Sequence, residues 1–137
     1  GTIFKITTGG TFTTLYSFQL PDGFVRRARL TAGPDGNLYG TSRDGGTADM
    51  GTIFRITPNG IFTNLVSFRG TNGAVPLAEL TVGADGQLYG TTQLGGSEFS
   101  GTVFKVTTNG ALTTLVSFAN SANGFLAVPR AGLLRLH

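Results

Sequence analysis

Short runs of apolar and polar residues, separated by Gly-containing turns, fill most of the chain. Thr2-Ile3-Phe4-Lys5-Ile6-Thr7 is one such run and Phe12-Thr13-Thr14-Leu15-Tyr16-Ser17-Phe18 another. Successive side chains of a strand point to opposite faces. Phe4 and Ile6 therefore oppose Ile3, and Phe12, Tyr16 and Phe18 are predicted to share one face with Leu15 on the other. Each predicted strand is apolar on both sides. Gly and β-branched residues interrupt every stripe that a helix would need, so the pattern supports strands throughout.

The stretch from Ala78 shows a whole unit. Residues 78–83 predict a first strand and 88–92 a second, with Ala84-Asp85-Gly86 as a tight turn between them. Asp-Gly tolerates positive φ, and its twist suits a two-residue hairpin. A Gly-rich loop over 94–100 leads to a third strand at 102–107, and Asn109-Gly110 turns the chain into a fourth at 112–118. The result is four antiparallel strands in up-and-down order. The preceding copy has the same layout, with turns at Pro34-Asp35-Gly36 and Asn59-Gly60.

Gly1-Thr2-Ile3-Phe4-Lys5-Ile6-Thr7, Gly51-Thr52-Ile53-Phe54-Arg55-Ile56-Thr57 and Gly101-Thr102-Val103-Phe104-Lys105-Val106-Thr107 begin fifty residues apart. A fixed period of that size marks a repeat architecture, in which one unit cannot bury its apolar surface alone. A small sheet without a wet side needs a neighbouring sheet on each face. Four-stranded units of about 40–50 residues stacked in this way are the blades of a β-propeller. The expected fold class is all-β: propeller blades that are four-stranded antiparallel sheets, forming an incomplete propeller within one chain. A β-solenoid is the competing architecture, but its coils are shorter and lack such hairpin turns. The predicted organisation is one repeat domain over 1–137. It contains a partial blade at 1–18 (strands three and four), full blades at 27–68 and 77–118, and the first strand of an unfinished blade at 128–137.

Leu88-Tyr89-Gly90-Thr91-Thr92, Gly95-Gly96, the heptad from Gly101 and Leu112-Thr113-Thr114-Leu115-Val116-Ser117-Phe118 together resemble the bacterial GloVer tandem repeat. The resemblance runs along the chain until about Gly124. It implies propeller-like repeats in an exported or cell-surface bacterial protein, often carrying a sorting anchor, with no catalytic activity attached to the repeat. The tail from Ala131 to His137 is too short for such an anchor.

Composition narrows the function classes. Hydrophobic residues make up 39% of the 137, with eleven Phe, twenty-two Gly and 12% charged residues. That balance fits a folded β protein and neither a helical bundle nor a disordered chain. The absence of Cys removes disulfides and thiolate metal sites and is compatible with export. The net charge of +3 is scattered, so no nucleic-acid partner is expected. No apolar run is long enough for a membrane-spanning helix. The one histidine is the terminal His137, which leaves no Ser-His-Asp, Cys-His or His-rich metal arrangement. No cofactor is expected, and neither is enzyme activity.

Two kinds of partner remain. Unfinished blades at both termini expose strand edges and sheet faces, so identical chains are expected to assemble into a ring or a head-to-tail filament. A fragment of a longer propeller is the alternative. The tight turns repeat closely between copies, whereas the long loops and the linkers diverge. Variation on a rigid scaffold is where binding usually sits. The candidate ligand-binding loops carry Arg43, Asp44, Asp49 and Glu98, joined by Arg26 and Arg27 of the basic cluster Arg26-Arg27-Arg29. Such arginines suit an anionic polysaccharide or a phosphate, although a solvated linker and strand edge that discourages wrong pairing is the favoured explanation. Asp35 and Asp85 are accounted for as turn residues. Tyr39 and Tyr89 suit inter-blade packing better than stacking on sugar rings.

Overall fold

The computed structural model describes residues 2–6, 8–17, 30–76 and 79–119, and every regular element within them is a strand. Strands β1 (Thr2–Ile6) and β2 (Phe12–Ser17) form a two-stranded sheet. Strands β3 (Thr31–Ala32), β4 (Leu38–Ser42), β5 (Thr52–Ile56) and β6 (Phe62–Ser67) form a four-stranded one. So do β7 (Thr81–Val82), β8 (Leu88–Thr92), β9 (Thr102–Val106) and β10 (Leu112–Ser117). Neighbouring strands are consecutive and antiparallel throughout, the up-and-down order of a propeller blade. The final strand predicted at 128–137 lies outside the described residues. The first strands are shorter than the sequence pattern predicts: of the described residues 79–83 only Thr81–Val82 pair with β8 as a strand. The Leu80 carbonyl just before them accepts a hydrogen bond from Thr31 Oγ1 of the neighbouring sheet at 2.6 Å.

The tight turns are three-residue connections rather than the two-residue hairpins expected. Gly33 N–H donates to Asn37 O at 2.8 Å, and Thr57 N–H donates to Ile61 O at 3.0 Å. Only the last loop residue has positive φ, +83° at Gly36 and +88° at Gly60. A type I turn closed by a left-handed glycine has this form. Asp35 and Asn59 keep ordinary negative φ, so the glycine alone carries the unusual conformation.

A second departure sets how the sheets stack. Each pairing of a third with a fourth strand has a bulge, so that Phe54 faces Asn64 while Ile53 faces Val66, and Leu65 is passed over. The same break passes over Leu15 and Leu115. An extra residue in one strand reverses the alternation beyond it. Phe12 and Tyr16 therefore lie on opposite faces, contrary to the uninterrupted alternation read from the sequence. Phe62 shares a face with Phe54 and Ile56, and Val66 shares the other with Ile53.

The two faces fill two separate cores. Ile3, Phe54 and Ile56, with Tyr16, Leu30 and Phe62 packed against them, join the first sheet to the second. Tyr39, Ile53, Val66 and Phe68 meet Leu80, Leu88, Phe104 and Val106 between the second and third. Ile53 and Phe54 are adjacent in sequence and both fully buried, one in each core. The middle sheet is thus covered on both sides, as its two-sided apolar pattern requires. The rings of Phe54 and Phe104 reach across to glycines of the second strands. A Cβ at Gly40 would stand 2.6 Å from Phe54 Cζ, and one at Gly90 2.6 Å from Phe104 Cζ. That close approach explains the glycine in the Leu-Tyr-Gly-Thr motif.

Candidate functional site

The long loops and the linker between sheets come together at one end of the molecule. Each loop springs from a buried hydroxyl pair, Ser42 Oγ with Thr52 Oγ1 at 2.6 Å and Thr92 Oγ1 with Thr102 Oγ1 at 2.8 Å. The linker after β6 is then hydrogen-bonded to both loops. Val75 N–H donates to Met50 O at 2.8 Å and Gln93 N–H to Val75 O at 3.0 Å. Ala74 and Leu94 exchange backbone bonds of 2.8 and 3.0 Å, and Gly96 N–H donates to Gly70 O at 2.8 Å. The result is one continuous loop face, with the tight turns at the opposite end.

The predicted residues that the structure describes, Arg43, Asp44, Asp49 and Glu98, lie on the two long loops of this face. Arg43 Nη1 lies 3.3 Å from Asp44 Oδ1, an ion pair of sequence neighbours at the surface; such pairs contribute little. Asp49 is committed to its own loop. It has φ +54°, and its Oδ1 accepts the Gly45 N–H at 2.7 Å. Glu98 is exposed on the next loop, where its backbone carbonyl accepts from Ser100 Oγ at 3.3 Å. Arg26 and Arg27, and Arg29 with them, lie outside the described residues.

Three apolar residues absent from the sequence-based candidates also sit here. Met50, Leu94 and Phe99 are exposed on the loop face. Met50 and Phe99 flank Gly70, where a Cβ would stand 3.4 Å from Met50 Sδ and 4.0 Å from Phe99 Cε1. Phe99 has φ +56° at the position that Asp49 occupies in the preceding copy. A bulky residue in the left-handed region is an outlier. The readable signal was three large apolar side chains in Gly-rich loops, where solubility alone favours polar ones.

A repeated polar cluster marks the opposite end. Tyr39 Oη donates to Asp35 Oδ2 at 2.5 Å, and Asp35 Oδ1 accepts the Asn37 N–H at 3.1 Å. Tyr89 Oη and the Gln87 N–H hold Asp85 in the same way, at 2.6 and 3.0 Å. Each tyrosine pairs across strands with a basic residue, Arg55 or Lys105. Arg55 Nη1 continues into the third sheet and donates to Thr108 O at 3.2 Å. The Tyr39 ring is fully buried between sheets, the inter-blade packing expected of it.

These bonds set the charge states. Burial alone would raise the Asp35 carboxyl, but hydrogen bonds from Tyr39 and Asn37 outweigh it and hold the group below its ordinary 3.8. The bond from Tyr89, followed by that from the Gln87 amide, lowers Asp85. Burial, then the bond to Asp35, raises Tyr39 above its ordinary 10.0. A depressed carboxyl contributes stability above its ordinary value and loses it as pH falls through the folded value. A raised phenol contributes fully below its ordinary value and loses it as pH rises through the folded one. Tyr39→Phe is therefore expected to cost about 1 kcal/mol at neutral pH, reduced from the usual charged hydrogen bond by the exposure of Asp35. The deficit shrinks in acid. Urea unfolding across pH measures it, and a deficit independent of pH would show that the ring's packing, not the bond, was disturbed.

The model of the Gloeobacter/Verrucomicrobia repeat matches residues 1–136. The chain belongs to that family. The match extends past Gly124, where the resemblance read from the sequence stops, so the repeat continues into the C-terminal stretch. No curated protein and no solved structure matches the chain. Within the Gloeobacter/Verrucomicrobia repeat seen here, the shared motif residues serve the fold: glycines beneath Phe rings, hydroxyl pairs at loop bases, and Asp–Tyr pairs at turns.

Proposed function

We propose that this chain is a structural, self-assembling repeat protein of the cell exterior, built from propeller blades that stack face to face and carrying no catalytic role. The carrying observation is the contrast between its sheets. The middle sheet is buried on both faces by sheets of the same sequence pattern, whereas Ile6 and Phe12 on the first sheet and Leu115 and Val116 on the third are exposed. Exposed apolar faces of this kind invite association. Asp35 and Asp85 are used in turns, Asp49 in its own loop and Asp44 in a surface ion pair, which favours a scaffold over a hydrolase. The exported setting is the one the family resemblance implies. Light scattering on the eluted protein tests assembly. Multiples of 14.2 kDa that grow with concentration are expected, and a monomer at every concentration would overturn the reading.

A second reading is a binding module, a lectin-like propeller that recognises carbohydrate or a protein on its loop face. The patch of Met50, Leu94 and Phe99 favours it, since an exposed ring held in a strained backbone offers a stacking surface. A glycan array including anionic polysaccharides checks this reading. Binding that disappears in Phe99→Ala supports it, and silence across the array counts against it.

A further inference from the structure

Three Asn-Gly steps fall among the described residues: Asn59-Gly60, Asn72-Gly73 and Asn109-Gly110. Asn123-Gly124 lies outside them. An Asn-Gly step is able to modify itself. The glycine nitrogen attacks the side-chain carbonyl carbon of the asparagine, closing a five-membered succinimide and releasing ammonia. Water then opens the ring on one side or the other, leaving aspartate or isoaspartate. Glycine permits the attack because no Cβ restricts the backbone around its nitrogen. The reaction needs an amide free to swing onto that nitrogen and a backbone that opens for long enough.

The fold treats the three steps differently. Asn72 is held at both ends of its amide: Oδ1 accepts the Arg69 N–H at 2.7 Å, and Nδ2 donates to Ser67 O at 3.5 Å. Gly70 and Gly73 beside it are buried and exchange backbone bonds of 3.0 and 3.1 Å. Asn59 and Asn109 are instead exposed in the turns between β5 and β6 and between β9 and β10. Neither amide is hydrogen-bonded to a described residue. Gly60 N–H bonds back to Thr57 O at 2.9 Å and Gly110 N–H to Thr107 O at 3.0 Å. A single bond at an exposed turn opens at lower cost than a buried pair. Asp35-Gly36 and Asp85-Gly86 form the other tight turns, but their carboxylates are poor electrophiles and are held by Tyr39 and Tyr89.

We propose that Asn59 and Asn109 are sites of spontaneous deamidation and isoaspartate formation in the folded chain, and that Asn72 is shielded by its own linker. The product at Asn109 reaches the joint between two sheets. Arg55 Nη1 donates to Thr108 O at 3.2 Å, and a Cβ at Gly110 would stand 2.9 Å from Leu65 O, so this turn lies against the second sheet. Isoaspartate inserts one backbone carbon between those two contacts. Modification at Asn109 therefore loosens the joint, and at both positions it replaces a neutral amide by a carboxylate.

The full chain, kept in warm, mildly alkaline buffer and followed by peptide mass spectrometry, tests this. In urea all three steps are expected to react at similar rates, since each is followed by glycine. In the folded chain Asn59 and Asn109 are expected to react at least about ten-fold faster than Asn72, a ratio that a modest difference in local opening produces. An isoaspartyl methyltransferase should label the same two peptides. Asn109→Gln, whose longer side chain disfavours the five-membered ring, should abolish the label at its own turn and leave that at Asn59. Chains modified at position 109, separated by ion exchange, are expected to melt below unmodified ones. The proposal is overturned if Asn72 reacts as fast as the other two in the folded chain. It is equally overturned if Asn59 and Asn109 stay intact there while both react in urea. Identical melting of modified and unmodified chains would overturn the loosening of the joint.

Discussion

Gly95→Ala is expected to destabilise the chain by about 3 kcal/mol or more, from a left-handed backbone penalty of about 1–2 kcal/mol and an overpacking cost of about 1–3 kcal/mol. Gly95 has φ +83°, and a Cβ there would stand 2.5 Å from Gly70 O, 2.6 Å from Gly73 C and 2.7 Å from Ala74 N. All three atoms are backbone, held by the linker's own bonds to the loops, so no side chain can swing aside. Gly36 provides the control, because it shares the φ of +83° but has nothing within 4 Å. Gly36→Ala should therefore lose only the backbone part, about 1–2 kcal/mol. Urea unfolding of the two variants separates strain from contact. Equal losses would show that the linker moves away at little cost, and that the two sheets are not rigidly joined at this end.

Phe104→Ala is expected to cost about 3–5 kcal/mol, the range for emptying a buried aromatic site. Phe104 is fully buried, lies over Gly90, and meets Phe68 of the preceding sheet with ring centroids 5.6 Å apart. The loss is large beside a total domain stability of about 5–15 kcal/mol. Phe99→Ala, which removes the same side chain from an exposed loop, should change stability by less than about 0.5 kcal/mol. A melting series on both variants measures the contrast. A mild loss for Phe104→Ala would mean that the core between the sheets collapses to fill the gap.

The strands were legible because their alternation and turn residues agree at each level. Leu88–Thr92 forms as read, and the third and fourth strands differ from the reading only at their ends. Two-sided burial was legible as well, since Ile53 and Phe54 are both apolar and adjacent. What escaped the reading was the consequence of a single unpaired residue. Nothing in Thr13-Thr14-Leu15-Tyr16 distinguishes a bulge from plain alternation, because the choice depends on pairing with another strand. The turns were located correctly but assigned the wrong length, since Asp-Gly and Asn-Gly suit both two- and three-residue hairpins. For the loop face, charge drew attention to Asp44, Asp49 and Arg43. Backbone geometry shows Asp49 turned to its own loop, and the exposed surface belongs instead to Met50, Leu94 and Phe99.

The skipped leucine gives each module a polarity that point substitutions cannot easily reverse. Losing Leu65 itself would close the bulge and leave Val66 opposite Ile53, whereas a residue added beside Val66 would swing Phe68 to the wrong side, taking a buried ring out of its core. Gaining or losing a whole fifty-residue module would keep every later face correctly oriented. The expected pattern of tolerated length change is therefore selective, with whole-module duplication and loss of the skipped leucine mild and a residue added beside Val66 severe.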